Sequence, residues 1–236
     1  MSSSSLLGSF STCEISDALI KLGSPHGGCL VDIYCMSPSP SQSQHKLEQE
    51  QDPLRICGPA YTVQMVPFTD TASPKLTTHF VDTILPGSVV VIDTPPQSPN
   101  AVWGGLMTAG AQSRYARGVV ISGRCRDLAE QRAARFPVFA RGHSTLGQSP
   151  FTRSAAVNVP LRIAPPPVGE ESFPAVEVRP GDWIVADEDG VVCIPRELEH
   201  QVVELATKGR DVDARCVEDI RAGLGVQASF KKHRGK

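Results

Sequence analysis

Apolar residues recur along this chain with two different periods, and the change from one to the other marks its elements. Near the start, Ile15, Ala18, Leu19 and Leu22 fall at helical spacing within "STCEISDALIKLG" (11–23). Ser11 or Thr12 offers an N-cap, Glu14 places an acid in the first turn and Gly23 supplies a stop, so this stretch predicts a helix. From Ile56 onward short apolar runs alternate with helical ones. "ICGPAYTVQMV" predicts a strand, 77–84 (Thr77 to Ile84) a helix, and "GSVVVID" (87–93), introduced by Pro86-Gly87, a buried strand. A Pro-rich loop, 94–100, follows. "GGLMTAGAQSRYAR" (104–117) then predicts a helix of small residues, "GVVISG" (118–123) a strand and "DLAEQRAARF" (127–136) a helix. Strand, helix, strand, helix is the pattern of right-handed crossover units with adjacent parallel strands.

Toward the C-terminus the period changes again. "AVEVRPGDWIVADEDGVVCIP" (175–195) alternates like antiparallel hairpin strands, with Pro180-Gly181 and Asp189-Gly190 as turn signals. Residues 196–225 read as helical with a break near Gly209. In contrast, "MSPSPSQSQHKLEQEQDP" (36–53) has almost nothing to bury and reads as a flexible surface insertion. No repeat of solenoid length is present. The expectation is one α/β domain over 1–236, with parallel crossover units followed by an antiparallel hairpin and helices.

Composition narrows the functional classes. The 236 residues are 40% hydrophobic and 20% charged, with a net charge of -2, which argues against a nucleic-acid partner, a disordered chain or a membrane-surface protein. No apolar window is long enough to span a bilayer, and Met1 to Ser5 lacks the basic flank and apolar stretch of a secretory signal, so the chain reads as cytoplasmic. The seven cysteines (Cys13, Cys29, Cys35, Cys57, Cys125, Cys193 and Cys216) are odd in number and contain no CxxC pair, so they read as reduced thiols.

Chemistry concentrates where two of the expected strands end, since ligands of parallel sheets collect outside the carboxyl ends of strands. After 87–93 comes Gly104-Gly105-Leu106-Met107, where glycines allow a small anion to approach free helix amides. After 118–123 comes "RCRD", delivering Arg124, Arg126 and Asp127. A guanidinium beside a helix start can clamp a carboxylate through two parallel hydrogen bonds. Asp127 would repel such an anion, but it can hold a cation such as magnesium, which keeps waters and substrate among its ligands. The combination suggests a small 2-oxo acid held by a metal and an arginine. Simpler readings stand beside this one: Asp127 as an N-cap with Glu130 closing a capping box, the arginines as solvated loop charges, and Gly104-Gly105 as loop punctuation.

Gly105, twenty intervening residues and then Arg126-Asp127, with Glu130 completing Arg-Asp-x-x-Glu, resembles the motif of the class II 4-hydroxy-4-methyl-2-oxoglutarate aldolases. "STCEISDALIKLG", "CGPAYTV" (57–63), "LPGSVVVID" (85–93) and "VRPGDWIVADEDGVVCIP" (178–195) also resemble segments of the superfamily that unites those aldolases with the regulator of ribonuclease activity A, in the same order. The resemblance implies a swivelling α/β/β/α domain of the RraA-like type, forming homotrimers or homohexamers with sites between subunits. It implies that the backbone at Gly104, Gly105, Leu106 and Met107 contacts substrate, that Arg126 binds pyruvate and that Asp127 binds Mg2+ or Mn2+. The implied reaction is cleavage of 4-hydroxy-4-methyl-2-oxoglutarate or 4-carboxy-4-hydroxy-2-oxoadipate, and decarboxylation of oxaloacetate, through pyruvate enolate.

An acidic residue of the neighbouring subunit is also implied, with Glu197 and Glu199 as candidates by region. His143 reads as a loop histidine, and Asp187, Glu188 and Asp189 as serving the Asp-Gly turn. A Schiff-base route finds no lysine at an expected strand end. Two other readings remain: a non-enzymatic regulator that binds a ribonuclease or other protein, and a lyase for another 2-oxo acid. Arg124 has no role in any of them.

Overall fold

The computed structural model describes residues 5–38, 54–166 and 173–235. After a 3-10 turn at Leu6–Ser9, helix α1 (Thr12–Lys21) begins with the expected box: Ser11 accepts from the Glu14 amide while the Glu14 carboxylate accepts from the Ser11 amide. Strands β1 (Tyr34–Ser37), β2 (Ile56–Pro67), β3 (Val89–Asp93) and β4 (Ala101–Trp103) lead to helix α2 (Gly105–Ser113). Then come β5 (Gly118–Cys125), helix α3 (Leu128–Ala133), β6 (Val138–His143), β7 (Thr152–Val157), β8 (Leu161–Ile163), β9 (Val176–Val178), β10 (Trp183–Asp187) and β11 (Gly190–Ile194). Helices α4 (Glu199–Arg221) and α5 (Val226–Arg234) follow.

The main sheet has the order β1-β6-β5-β3-β2-β10-β11, with β4 joined to β5 and β7 to β2, while β8 and β9 pair separately. The pairs β2–β3, β3–β5 and β5–β6 are parallel, as the crossover pattern requires. Strands β3 and β5 are buried on both faces. Val90, Ile92, Val119 and Ile121 join Tyr61, Phe80 and Trp103 in one apolar cluster, whereas Val89, Val91 and Val120 join Phe139 and Ile184 in another. Two-sided burial explains why these strands read as unbroken apolar runs. A third cluster seats Ile15 and Leu19 of α1 against Val185, Val192 and Val202. Each such aliphatic side chain contributes about 1.5–3 kcal/mol on full burial.

Several expectations need correction. The helix expected at 77–84 is a single 3-10 turn, Phe80–Thr83, because only Phe80, Val81 and Ile84 turn inward and the Tyr61 hydroxyl donates to the Phe80 carbonyl. Pro180-Gly181 does not close a hairpin: β9 pairs with β8, and β10 pairs with β2 and β11, so that turn carries the chain between sheets. Asp189-Gly190 does close one. Helix α4 runs unbroken through Gly209, since packing on α1 and a 2.6 Å ion pair from Arg210 to Glu14 bridge that point. Of the insertion expected at 36–53, Met36 and Ser37 belong to β1, paired antiparallel with β6, and 39–53 lie outside the described residues.

Helix α5 is held to α4 differently from the rest. Lys232 and His233 both meet Asp219, at 3.0 and 2.7 Å, and Arg234 meets Asp213 at 2.6 Å. Only Ser229 of α5 is fully buried, its hydroxyl donating to the Cys216 carbonyl.

Candidate active site

Strand β4, which the sequence pattern did not reveal, builds the site. It lies parallel to β5, and the Arg126 amide donates to the Trp103 carbonyl at 2.9 Å, so the end of β5 is fastened to the entry of α2. Trp103 is fully buried, its indole N–H donating to Thr108 one turn into α2. Gln131, also buried, donates to the Arg126 carbonyl at 2.7 Å. Thus both sides of Arg126 are fixed through its backbone while its side chain stays half exposed.

Asp127 occupies the N-cap position of α3 in the left-handed region (φ 59°, ψ 43°), and its carboxylate makes no capping bond there. Instead Oδ2 accepts the Gly105 amide, the first of α2, at 3.0 Å. Asparagine and aspartate tolerate this conformation better than most residues, at a cost of about 1–2 kcal/mol. The expected capping box with Glu130 is therefore absent. Glu130 extends over Gly105, where a Cβ would collide with its carboxylate, and a Cβ on Gly104 would collide with Asp127. The two glycines are close-approach residues, beyond simple loop punctuation.

The Arg126 guanidinium lies 3.5 Å from Asp127 Oδ2 and is 45% exposed, with no hydrogen bond from its side chain among the described residues. It rests over Gly147 in the β6–β7 loop, where a Cβ would stand 2.8 Å from Nη1. Leu106 and Met107 follow on α2; Leu106 is 82% exposed, and Met107 packs into the first cluster. Their amides have no acceptor among the described residues, as expected in a first helical turn. Gly104, Gly105, Leu106, Met107, Arg126 and Asp127 thus come together, with Glu130 beside them.

Other candidates fall elsewhere. Asp187 accepts from the Thr12 amide and hydroxyl at 2.9 and 2.6 Å and from the Asp189 amide, so it serves α1 and the hairpin turn. Glu199 is engaged by Ser5 and by the Trp183 indole, and Glu197 lines a separate cavity of about 210 Å³ with His26 and Asp182. His143, distant in sequence from the arginines, pairs with Cys125 through β6, and its ring makes no hydrogen bond among the described residues. Cys125 is buried, and burial pushes its thiol up to about 11. The described lysines, Lys21, Lys75, Lys208, Lys231 and Lys232, are all exposed. Sequence reasoning missed Trp103, Gln131 and Gly147; the paired glycines of "GHSTLG" were the available signal for the last.

At the end of β3, on the face shared with Val89 and Val91, Asp93 forms a second polar cluster. Burial raises its carboxyl to about 6, opposed by a hydrogen bond from Ser122 and by the charge of Arg141. Arg141 donates to the carbonyls of Val31 and Ala164 and to Ser122 Oγ, tying three segments together.

The donor set suits a magnesium-like cation: Asp127 offers a carboxylate, Glu130 a second acid nearby, and such an ion takes waters and substrate for its remaining positions. No group of three or more His, Cys, Asp or Glu residues capable of holding a metal occurs among the described residues, so an all-protein cage is not what this site offers. No helix among the described residues is long and apolar enough to cross a membrane.

Known proteins share this fold and part of this sequence. A protein of Halalkalibacterium halodurans provisionally named a 4-hydroxy-4-methyl-2-oxoglutarate aldolase is 34% identical over 68% of this chain and 70% of its own. Protein DlpA of Legionella pneumophila is 29% identical over 92% of this chain, which matches only 31% of that longer protein. A structure of an uncharacterized protein from Pseudomonas syringae superposes with a TM-score of 0.77 at 28% identity, covering 96% of this chain and 91% of that one. An RraA-family structure from Streptomyces coelicolor, 20% identical with a TM-score of 0.68 over 88% of this chain and 91% of its own, shares the fold. The RraA-like family model, described as Aldolase/RraA, matches residues 12–193, and the chain belongs to that family.

Proposed function

We propose that this chain is a divalent-metal-dependent lyase that releases pyruvate from 4-hydroxy-4-methyl-2-oxoglutarate or 4-carboxy-4-hydroxy-2-oxoadipate and decarboxylates oxaloacetate. One observation carries the reading: the Asp127 carboxylate is drawn off its own helix onto the first amide of α2, 3.5 Å from the half-exposed Arg126 guanidinium. Relatives of about 30% identity that bear the aldolase name support it.

In this reading Arg126 grips the substrate carboxylate by two parallel hydrogen bonds and fixes the 2-oxo group toward Asp127. The amides of Leu106 and Met107 orient the anion from the other side. Mg2+ or Mn2+ at Asp127, when bound, supplies Lewis-acid stabilisation of charge on the 2-oxo oxygen. The C4 hydroxyl loses its proton, its carbon becomes a carbonyl, and the electron pair of the broken C3–C4 bond passes into the pyruvate enolate. Protonation at C3 completes pyruvate. In oxaloacetate, loss of CO2 leaves the same enolate. Stabilisation of charge that exists only in the transition state and enolate accelerates the step. Assembly as a homotrimer or homohexamer, with an acid from the neighbouring subunit, belongs to the same proposal.

The test is pyruvate release from 4-hydroxy-4-methyl-2-oxoglutarate and from oxaloacetate with Mg2+ or Mn2+, and again with chelator, corrected for uncatalysed decarboxylation. Chelator-sensitive release is expected. Its absence from a folded oligomer on both substrates would leave a protein-binding role, or another 2-oxo acid, as the better reading.

A further inference from the structure

Arg124 is the charged residue at this strand end that the proposed reaction does not use. Across the end of β5 and the residue just past it, 124, 125 and 126 run exposed, buried, exposed, and the Arg126 amide continues the pairing with β4, so Arg124 and Arg126 lie on the same side. Two residues of extended backbone separate their Cα atoms by about 6.6 Å, a distance commensurate with a short carbon chain. Both guanidinium groups lean toward β6 and the loop that follows it. Arg126 lies over Gly147, and Arg124 over Gly142, where a Cβ would stand 3.1 Å from Nη1. The Arg124 Nη1 donates to the His143 carbonyl at 3.1 Å, which orients the group and leaves most of its five N–H donors free. Among the described residues no carboxylate lies within 4.0 Å of Arg124, whereas Arg126 has Asp127. A fixed, uncompensated guanidinium beside the carboxylate clamp is suited to a second carboxylate.

We infer that Arg124 is a specificity-determining residue that receives the distal carboxylate of a 2-oxo dicarboxylic acid. This rests on the lyase reading, in which Arg126 holds the C1 carboxylate and the fragment beyond the broken bond extends along β5 toward Arg124. Substrates whose leaving fragment carries a carboxylate are therefore preferred over those whose fragment is neutral.

Three variants separate this role from simple anchoring of the loop. Arg124→Gln retains a donor for the His143 carbonyl but loses the charge, Arg124→Lys retains the charge but loses the fork, and Arg124→Ala loses both. The KM for 4-hydroxy-4-methyl-2-oxoglutarate should rise about tenfold or more in Arg124→Gln and Arg124→Ala, less in Arg124→Lys, with kcat changing less than KM. In parallel, calorimetry on the metal-loaded protein compares 2-oxoglutarate, which has a distal carboxylate, with oxalate, which has none beyond the chelating pair. The affinity ratio of 2-oxoglutarate to oxalate should fall about tenfold in Arg124→Gln. A ratio within twofold of the parent protein, or equal weakening of both ligands, overturns the inference. If the parent protein releases no pyruvate, the lyase reading fails by itself, and the calorimetric ratio still decides the role of Arg124.

Discussion

The carboxylate of Asp127 accepts the Gly105 amide at 3.0 Å, joining the start of one helix to the start of another across two strand ends. A residue placed to cap its own helix has been turned to face a neighbouring one, and that turn opens a carboxylate edge toward Arg126.

Asp127→Asn preserves an acceptor for the Gly105 amide and removes the charge. Metal-dependent pyruvate release should fall about a hundredfold or more while the melting temperature stays near that of the parent protein. Parent-like turnover in a folded Asp127→Asn protein would remove Asp127 from the site.

Gly105→Ala drives a methyl group into the Glu130 carboxylate. Because Glu130 is exposed and can swing away, the expected loss of stability is modest, about 1 kcal/mol, while the acid is moved from beside Asp127. Activity should drop more than stability does, as read by comparing kcat/KM with urea midpoints. Gly147→Ala, which presses on the Arg126 guanidinium, should act chiefly on KM.

Asp93 gives a pH signature. Its folded-state carboxyl is raised to about 6 from 3.8, chiefly by burial, so the folded protein favours the protonated form. The sign follows: the carboxyl costs nothing below about pH 4, the cost grows as pH rises toward 6, and it is constant above. Asp93→Asn should therefore stabilise the protein by about 1–3 kcal/mol at pH 7.5, with the advantage vanishing near pH 4. Unfolding curves at a series of pH values read this directly, and a pH-independent difference would refute it.

Glu14 has the opposite sign. The hydrogen bond from Arg210 comes first among the causes that hold its carboxyl down at about 2, with the Ser11 bonds adding to it against partial burial. That stability is present above the ordinary value of 4.5 and is lost as pH falls toward 2. Arg210 is 45% exposed, so solvent screening limits the pair, and Glu14→Gln should cost about 1 kcal/mol at pH 7. The gap to the parent protein should close in acid.

Much of this was legible in the chain. Ile15, Ala18 and Leu19 announced α1, the apolar runs announced β3 and β5, and the spacing from Gly105 to Arg126 brought the two strand ends to one place. What local pattern could not carry was pairing. Ala101–Trp103 is too short to show a period, yet as β4 it fixes the Arg126 backbone. Gly147 touches Arg126 only because β6 returns beside β5. Pro180-Gly181 looks like a hairpin turn to any local reading, and only the sheet order shows that it joins two sheets. Asp127 and Glu130 have the spacing of a capping box, and the nearby α2 amide diverts one of them.

Helix α5 hangs on α4 by charge more than by grease. Its ion pairs, Lys232 with Asp219 and Arg234 with Asp213, weaken as ionic strength rises, whereas the apolar clusters of the sheet do not. The chain thus has two cohesions of different kind, and salt acts on one of them. A protease working in concentrated salt would trim α5 first and leave the stretch that carries Arg126 and Asp127 whole.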